Sequence, residues 1–109
     1  MNIDLPDIVA SYFAAENAKD SEQLSQCFHD DALVRDEGHD YRGVAAIKAW
    51  HRDANKTYRY EVKPLDGFVS GSTVVVRTCV TGDFPGNVAN LRCKFTLAED
   101  RITSFEVAP

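Results

Sequence analysis

Cysteine, glycine and proline are sparse in this sequence, and positive charge is in deficit. The three cysteines, Cys27, Cys79 and Cys93, lie far apart among 109 residues. An odd number cannot all pair, and none falls in a C-x-x-C or Cys/His grouping. A disulfide framework and a thiolate metal site are therefore excluded, and reduced thiols fit a cytoplasmic protein. Three histidines without carboxylates at ligand spacing argue against any metal site. Gly82 to Gly86 is a hairpin turn interrupted by Pro85, not a phosphate-binding loop. With neither signature present, no cofactor is expected. No apolar run approaches the ~20 residues that span a bilayer. The first residues, Met1-Asn2-Ile3-Asp4-Leu5-Pro6-Asp7, are acidic where a signal peptide would be basic. Twelve Lys and Arg against seventeen Asp and Glu leave a net charge of −5. Phosphate backbones and anionic lipid repel such a chain, so nucleic-acid and membrane-surface roles are set aside.

What is present is an ordinary globular balance, 44% hydrophobic and 27% charged. The length suits one domain over residues 1–109. Residues 5–18 read as a helix with Pro6 in its first turn and an apolar stripe of Ile8, Val9, Tyr12 and Phe13. Asp20 with Gln23 resembles a capping box and opens a short helix to about Phe28. Ala32 to Asp36 reads as a short strand, and His39 to Arg42 as a polar loop. Gly43 introduces a third helix to about Asn55, with Val44, Ile47, Trp50 or His51, and Ala54 on one face. From Tyr58 the period changes to two and runs until Pro64. Val69 to Gly71 ends in a turn. Thr73 to Gly82, Val88 to Ala98 and Arg101 to Val107 are further strands, with a type II turn expected at Pro85-Gly86. Helices first and hairpin-linked strands after predict α+β, with three helices in the N-terminal half packed on one face of a curved antiparallel sheet.

Three stretches resemble a known family: Tyr12-Phe13-Ala14-Ala15-Glu16-Asn17-Ala18-Lys19-Asp20, Phe28-His29-Asp30-Asp31-Ala32-Leu33-Val34-Arg35-Asp36, and Tyr41-Arg42-Gly43-Val44-Ala45-Ala46-Ile47-Lys48-Ala49-Trp50. Together they are similar to the nuclear-transport-factor-2-like superfamily, in its SnoaL-like and ketosteroid-isomerase-like branch. The element order extends the resemblance over essentially the whole chain. It implies a cone-shaped α+β barrel with a deep pocket for a small apolar ligand, and a homodimer. Superfamily membership does not choose among isomerase, cyclase, dehydratase, epoxide hydrolase and non-catalytic module.

Asp36 matches the position of the isomerases' catalytic base. A carboxylate at a strand end beside an apolar pocket suits proton abstraction; the alternative is an aspartate capping backbone N–H groups before Gly38. Tyr12 stands in a context similar to that of the isomerases' oxyanion-hole tyrosine, and it also suits a core position. His51 and Trp50 fall where the isomerases place aromatic pocket residues. His51 is positioned to orient Tyr12 or exchange a proton, or else lies exposed beside a core Trp50. Phe28 is counted with the pocket wall. Cys93 falls about where the isomerases carry a second, protonated aspartate, and a thiol is a weak substitute donor. Arg77 and Arg92, if inward, need Asp36 or Glu106 as partners and fit an epoxide-hydrolase-like site; otherwise they lie on the outer face. His39 and Tyr41 lie where a loop would rim the pocket. Three functions follow as expectations. The first is a cofactor-independent proton-transfer enzyme acting on an apolar carbonyl or polycyclic compound. The others are a non-catalytic ligand-binding or dimerisation module and an epoxide hydrolase.

Overall fold

Pro6 is extended (ψ 144°), so the first helix starts after it rather than through it. Helix α1 spans Asp7–Asn17, and the Pro6 carbonyl accepts from the N–H groups of Val9 and Ala10. The computed structural model describes residues 5–109. The reading of the segment that begins at Met1 therefore lies partly outside the described residues. Asp20 caps α2 (Ser21–Ser25) as its sequence position predicts, its side chain accepting from the Gln23 N–H at 3.0 Å. This helix stops three residues before Phe28. Phe28 instead opens strand β1 (Phe28–Asp36), because Ile102 donates to the Cys27 carbonyl and pairs with Phe28.

His39–Arg42, expected as a loop, is strand β2, antiparallel to the end of β1. Glu37 (φ 52°) and Gly38 (φ 77°) form the two-residue turn between them. Positive φ at both positions is the type I′ geometry that matches the twist of paired strands. Helix α3 (Val44–Thr57) runs two residues beyond the expected end. Strand β3 (Tyr60–Ser70) passes through Pro64, where the sequence predicted a stop. It is an edge strand with a register shift between Pro64 and Asp66, a setting in which the missing proline N–H is tolerated. Strands β4 (Thr73–Gly82), β5 (Val88–Ala98) and β6 (Arg101–Ala108) follow closely the predicted ranges. In the β4–β5 turn Asn87 donates to the Phe84 carbonyl and Gly86 has φ 90°, as type II requires.

The described strands form one sheet in the order β2-β1-β6-β5-β4-β3. Only the β1–β6 pair is parallel, and β2 and β3 stand at the two ends without pairing to each other, so the curved sheet does not close into a full barrel. The α+β class and the three-helix layer are as the sequence predicts. α1 packs against β3 and β6, α3 against β1 and β2, and α2 joins α1 to α3. The helix layer meets the sheet in an aromatic cluster. Tyr12 and Phe95 each lie 4.9 Å from Phe105, and Phe28 and Phe13 pack edge-on against Tyr12.

Candidate functional site

A cavity of about 410 Å³ opens between α1, α3 and the concave face of β3 to β6. α1 supplies Tyr12 and Glu16, one turn apart on the same helical face. β1 delivers Asp36 from its last residue, and α3 supplies Trp50. The alternation of β4 and β5 turns Thr78, Val80, Leu91 and Cys93 inward. Phe105 and Val107 of β6 complete the wall, and Tyr58 meets Phe84 edge-on at 6.1 Å toward the mouth.

Asp36 is half-buried and accepts a hydrogen bond from the Trp50 indole N–H at 3.0 Å. It is thus fixed by a ring that itself lines the cavity, rather than spent on backbone N–H groups before Gly38. Glu16 is the centre of a second network. It is 4% exposed, and it accepts from the Tyr60 hydroxyl at 2.6 Å and from the Tyr12 hydroxyl at 3.3 Å. His51 Nε2 stands 3.3 Å from Glu16 and 3.0 Å from the Asn55 amide nitrogen. The other ring nitrogen, Nδ1, lies 2.7 Å from the Ser21 hydroxyl.

Burial alone would raise the Glu16 pKa. The bonds from His51 and Tyr60, with the charges of His51 and Lys19, outweigh it and hold Glu16 below the ordinary carboxylate value. Burial, reinforced by Glu16, raises both tyrosine hydroxyls well above their usual range. Burial likewise pushes the Cys93 thiol up to about 12. Tyr12 and Tyr60 are therefore protonated donors, and Cys93 is not a thiolate nucleophile.

The structure brings Asp36, Tyr12, Trp50 and Cys93 to one cavity and moves the other expected site residues away. His51 is buried rather than exposed, yet it sits behind Glu16, does not line the cavity and reaches Tyr12 only through that carboxylate. Phe28 is fully buried in the aromatic cluster and not in the cavity wall. His39 is exposed on β2. Arg77 and Arg92 point out of the sheet, opposite each other, because Val76, Thr78 and Cys93 take the inward positions. Arg77 is bound there by Asp66, at 2.8 Å from Nε. An epoxide-hydrolase-like Asp–Arg site thus loses its arginine. Glu16 and Tyr60 are the participants that sequence reading missed. The Tyr12-x-x-x-Glu16 spacing was the available signal for Glu16; Tyr60 looked like one member of an alternating strand.

A helix layer over a curved, open sheet with a polar-edged aromatic cavity defines an α+β pocket protein of the nuclear-transport-factor-2-like kind. Residues 9–105 match the SnoaL-like domain, and the chain belongs to that family. A candidate polyketide cyclase from Sinorhizobium meliloti is 41% identical, with a TM-score of 0.93 over 95% of both chains. A protein of ketosteroid-isomerase-like fold from Catenulispora acidiphila, solved with trimethylamine, is 18% identical. Its TM-score is 0.90, over 97% of this chain and 87% of that one. TerC, co-crystallised with polyporic acid, is 18% identical with a TM-score of 0.82, over 94% and 88% of the two chains. No curated protein sequence matches the chain.

Proposed function

We propose that this chain binds a small, mostly apolar ring compound and moves a proton on it without a cofactor, with Asp36 as the base. The observation that carries this reading is the placement of Asp36. Its carboxylate stands at the cavity wall, held by one indole N–H and flanked by aromatic rings. A base must reach its proton while fixed in direction, and a single Trp50 bond fixes it while leaving acceptor capacity for a C–H or O–H. The likeness to a candidate cyclase supports a reaction of cyclase or isomerase type on a carbonyl or polycyclic compound. The roles first read for Tyr12 and His51 change in this reading. Tyr12 and Tyr60 donate their hydroxyl hydrogen bonds to Glu16, so the two tyrosines and His51 hold that carboxylate instead of forming an open oxyanion hole.

The test is a thermal-shift screen of steroids, quinones, phenols and terpenoid epoxides, followed by proton NMR of the hits in heavy water. Wild type is expected to exchange a ligand C–H at least ~100-fold faster than Asp36→Asn, the lower end of what a positioned base contributes. Equal exchange in both proteins removes Asp36 as the base, and binding without exchange favours a non-catalytic ligand-binding module.

A second copy of the chain is proposed as its partner, on the outer sheet face where Phe68 is 64% exposed. Sedimentation equilibrium returning a monomer mass at about 50 micromolar, where a dimer of micromolar Kd would be mostly assembled, would dismiss it. A cytoplasmic location is proposed from the free thiols and would be dismissed by a processed, exported form of the protein.

A further inference from the structure

All the charged side chains that line the cavity, among the described residues, are carboxylates: Glu16, Asp36 and Glu37. The nearby basic side chains face elsewhere. Lys19 lies 4.1 Å from the centre of the Tyr60 ring and donates to the Tyr60 carbonyl, and His51 is held behind Glu16 by Ser21 and Asn55. The stronger inner donors are also spent. Tyr12 and Tyr60 donate to Glu16, Thr78 to the Leu91 carbonyl, and the Trp50 indole to Asp36. An oxyanion formed deep in the cavity would meet carboxylates, with only the weak Cys93 thiol as an inner donor and the Tyr58 hydroxyl out toward the mouth, the reverse of what stabilises it. A cation would meet the rings of Trp50, Phe84 and Phe105 and the spare capacity of Asp36.

We infer that the ligand of this cavity is an organic cation, a tertiary or quaternary ammonium or a protonated imine carried on an apolar ring frame. The inference rests on the reading of this cavity as the ligand site, and it explains how a base acts here without an oxyanion hole. In a protonated imine the adjacent C–H is acidic. Its proton passes to Asp36, and its electron pair becomes the C=C of a neutral enamine as the C=N bond becomes single. A cation and a carboxylate are replaced by two neutral groups; an ammonium is held by charge without this step.

Calorimetric titration with two isosteres tests it: (3-hydroxyphenyl)trimethylammonium, and 3-tert-butylphenol with carbon in place of the charged nitrogen. The ammonium is expected to bind wild type at least ~10-fold more tightly, the scale of a desolvated cation–π contact. Asp36→Asn keeps an acceptor for the Trp50 indole and is expected to remove most of that preference without weakening the phenol. Should Asp36→Asn fail to fold, Glu37→Gln at the exposed rim is expected to lower the preference in the same direction. Equal or tighter binding of the phenol, or a preference untouched by both variants, overturns the cation and leaves the ligand site standing. Binding of neither compound at millimolar concentration overturns both.

Discussion

Glu16 is a buried carboxylate with bonding partners on both oxygens, and its partners come from three elements. Replacing it with glutamine removes the charge facing His51 but keeps most of its volume. Leaving buried donors with a poorer acceptor costs about 1–3 kcal/mol, so Glu16→Gln is expected to lower unfolding free energy by that order in urea titrations at pH 7. The pH dependence has a definite sign. The folded Glu16 pKa lies below 4.5. Its contribution is complete above that ordinary value and fades as pH falls through the folded one. Wild type is therefore expected to lose stability below about pH 4.5 more steeply than Glu16→Gln, and parallel curves would show that Glu16 is not ionised in the fold. The thiols give a second residue-scale expectation. Cys27 and Cys93 are buried with raised pKa values, whereas Cys79 is partly exposed on the outer face. One thiol per chain is expected to react with a disulfide reagent at pH 8 before unfolding, and all three after it. Sequence reading singled out Tyr12 and Asp36, which line the cavity, because each sits in a local motif. It passed over Glu16 because an acidic residue in Ala-Ala-Glu-Asn-Ala looks like helix surface. The residues that bury it, Tyr60 and His51, are distant in the chain.

Strand parity explains both what was legible and what was not at the scale of elements. Counting back from Phe95 turns Cys93 inward, and the structure agrees. The same alternation turns the adjacent Arg92 outward, so an inward Arg92 was incompatible with an inward Cys93 on one regular strand. The two weakest readings, β2 and the far half of β3, fail for a shared reason. His39-Asp40-Tyr41-Arg42 is polar and Pro64 interrupts its strand, so neither advertises pairing, and both belong to edge strands whose partners supply the order. On the outer face Arg77 and Arg92 are direct cross-strand neighbours, and only Arg77 is ion-paired with Asp66. Like charges directly opposite are destabilising. Arg92→Glu is expected to raise stability by about 0.2–1 kcal/mol at low salt, with the gain shrinking in 1 M sodium chloride as screening rises. A loss instead of a gain would show that Arg92 is engaged by something other than its strand neighbour.

For the molecule as a whole, the helix layer and the sheet share one continuous core, with a cluster of rings at the junction and aliphatic side chains such as Val9, Ile47 and Val76 packed with it. Phe105 touches this junction from every side. It lies 4.9 Å from Tyr12, 4.9 Å from Phe95, 5.9 Å from Trp50 and 6.4 Å from Phe28. It also forms part of the cavity wall. One side chain therefore contributes both to the stability of the fold and to the shape of the site. Removing it leaves a void under Tyr12 and Trp50, which position Glu16 and Asp36 respectively. Phe105→Ala is expected to cost about 3–5 kcal/mol. Net stabilities of such domains run at about 5–15 kcal/mol, so that is a large share of the whole. The melting temperature should fall by roughly 10 °C or more, given about 4 °C or more per kcal/mol. Phe105→Leu refills most of the volume and should recover much of the stability but not the ring contacts with Tyr12 and Trp50. The two variants thus separate packing from shape. If Phe105→Leu melts near wild type yet binds ring cations more weakly, the aromatic wall recognises ligand. If stability and binding recover together, Phe105 only fills space, and recognition resides in Asp36 and the remaining rings.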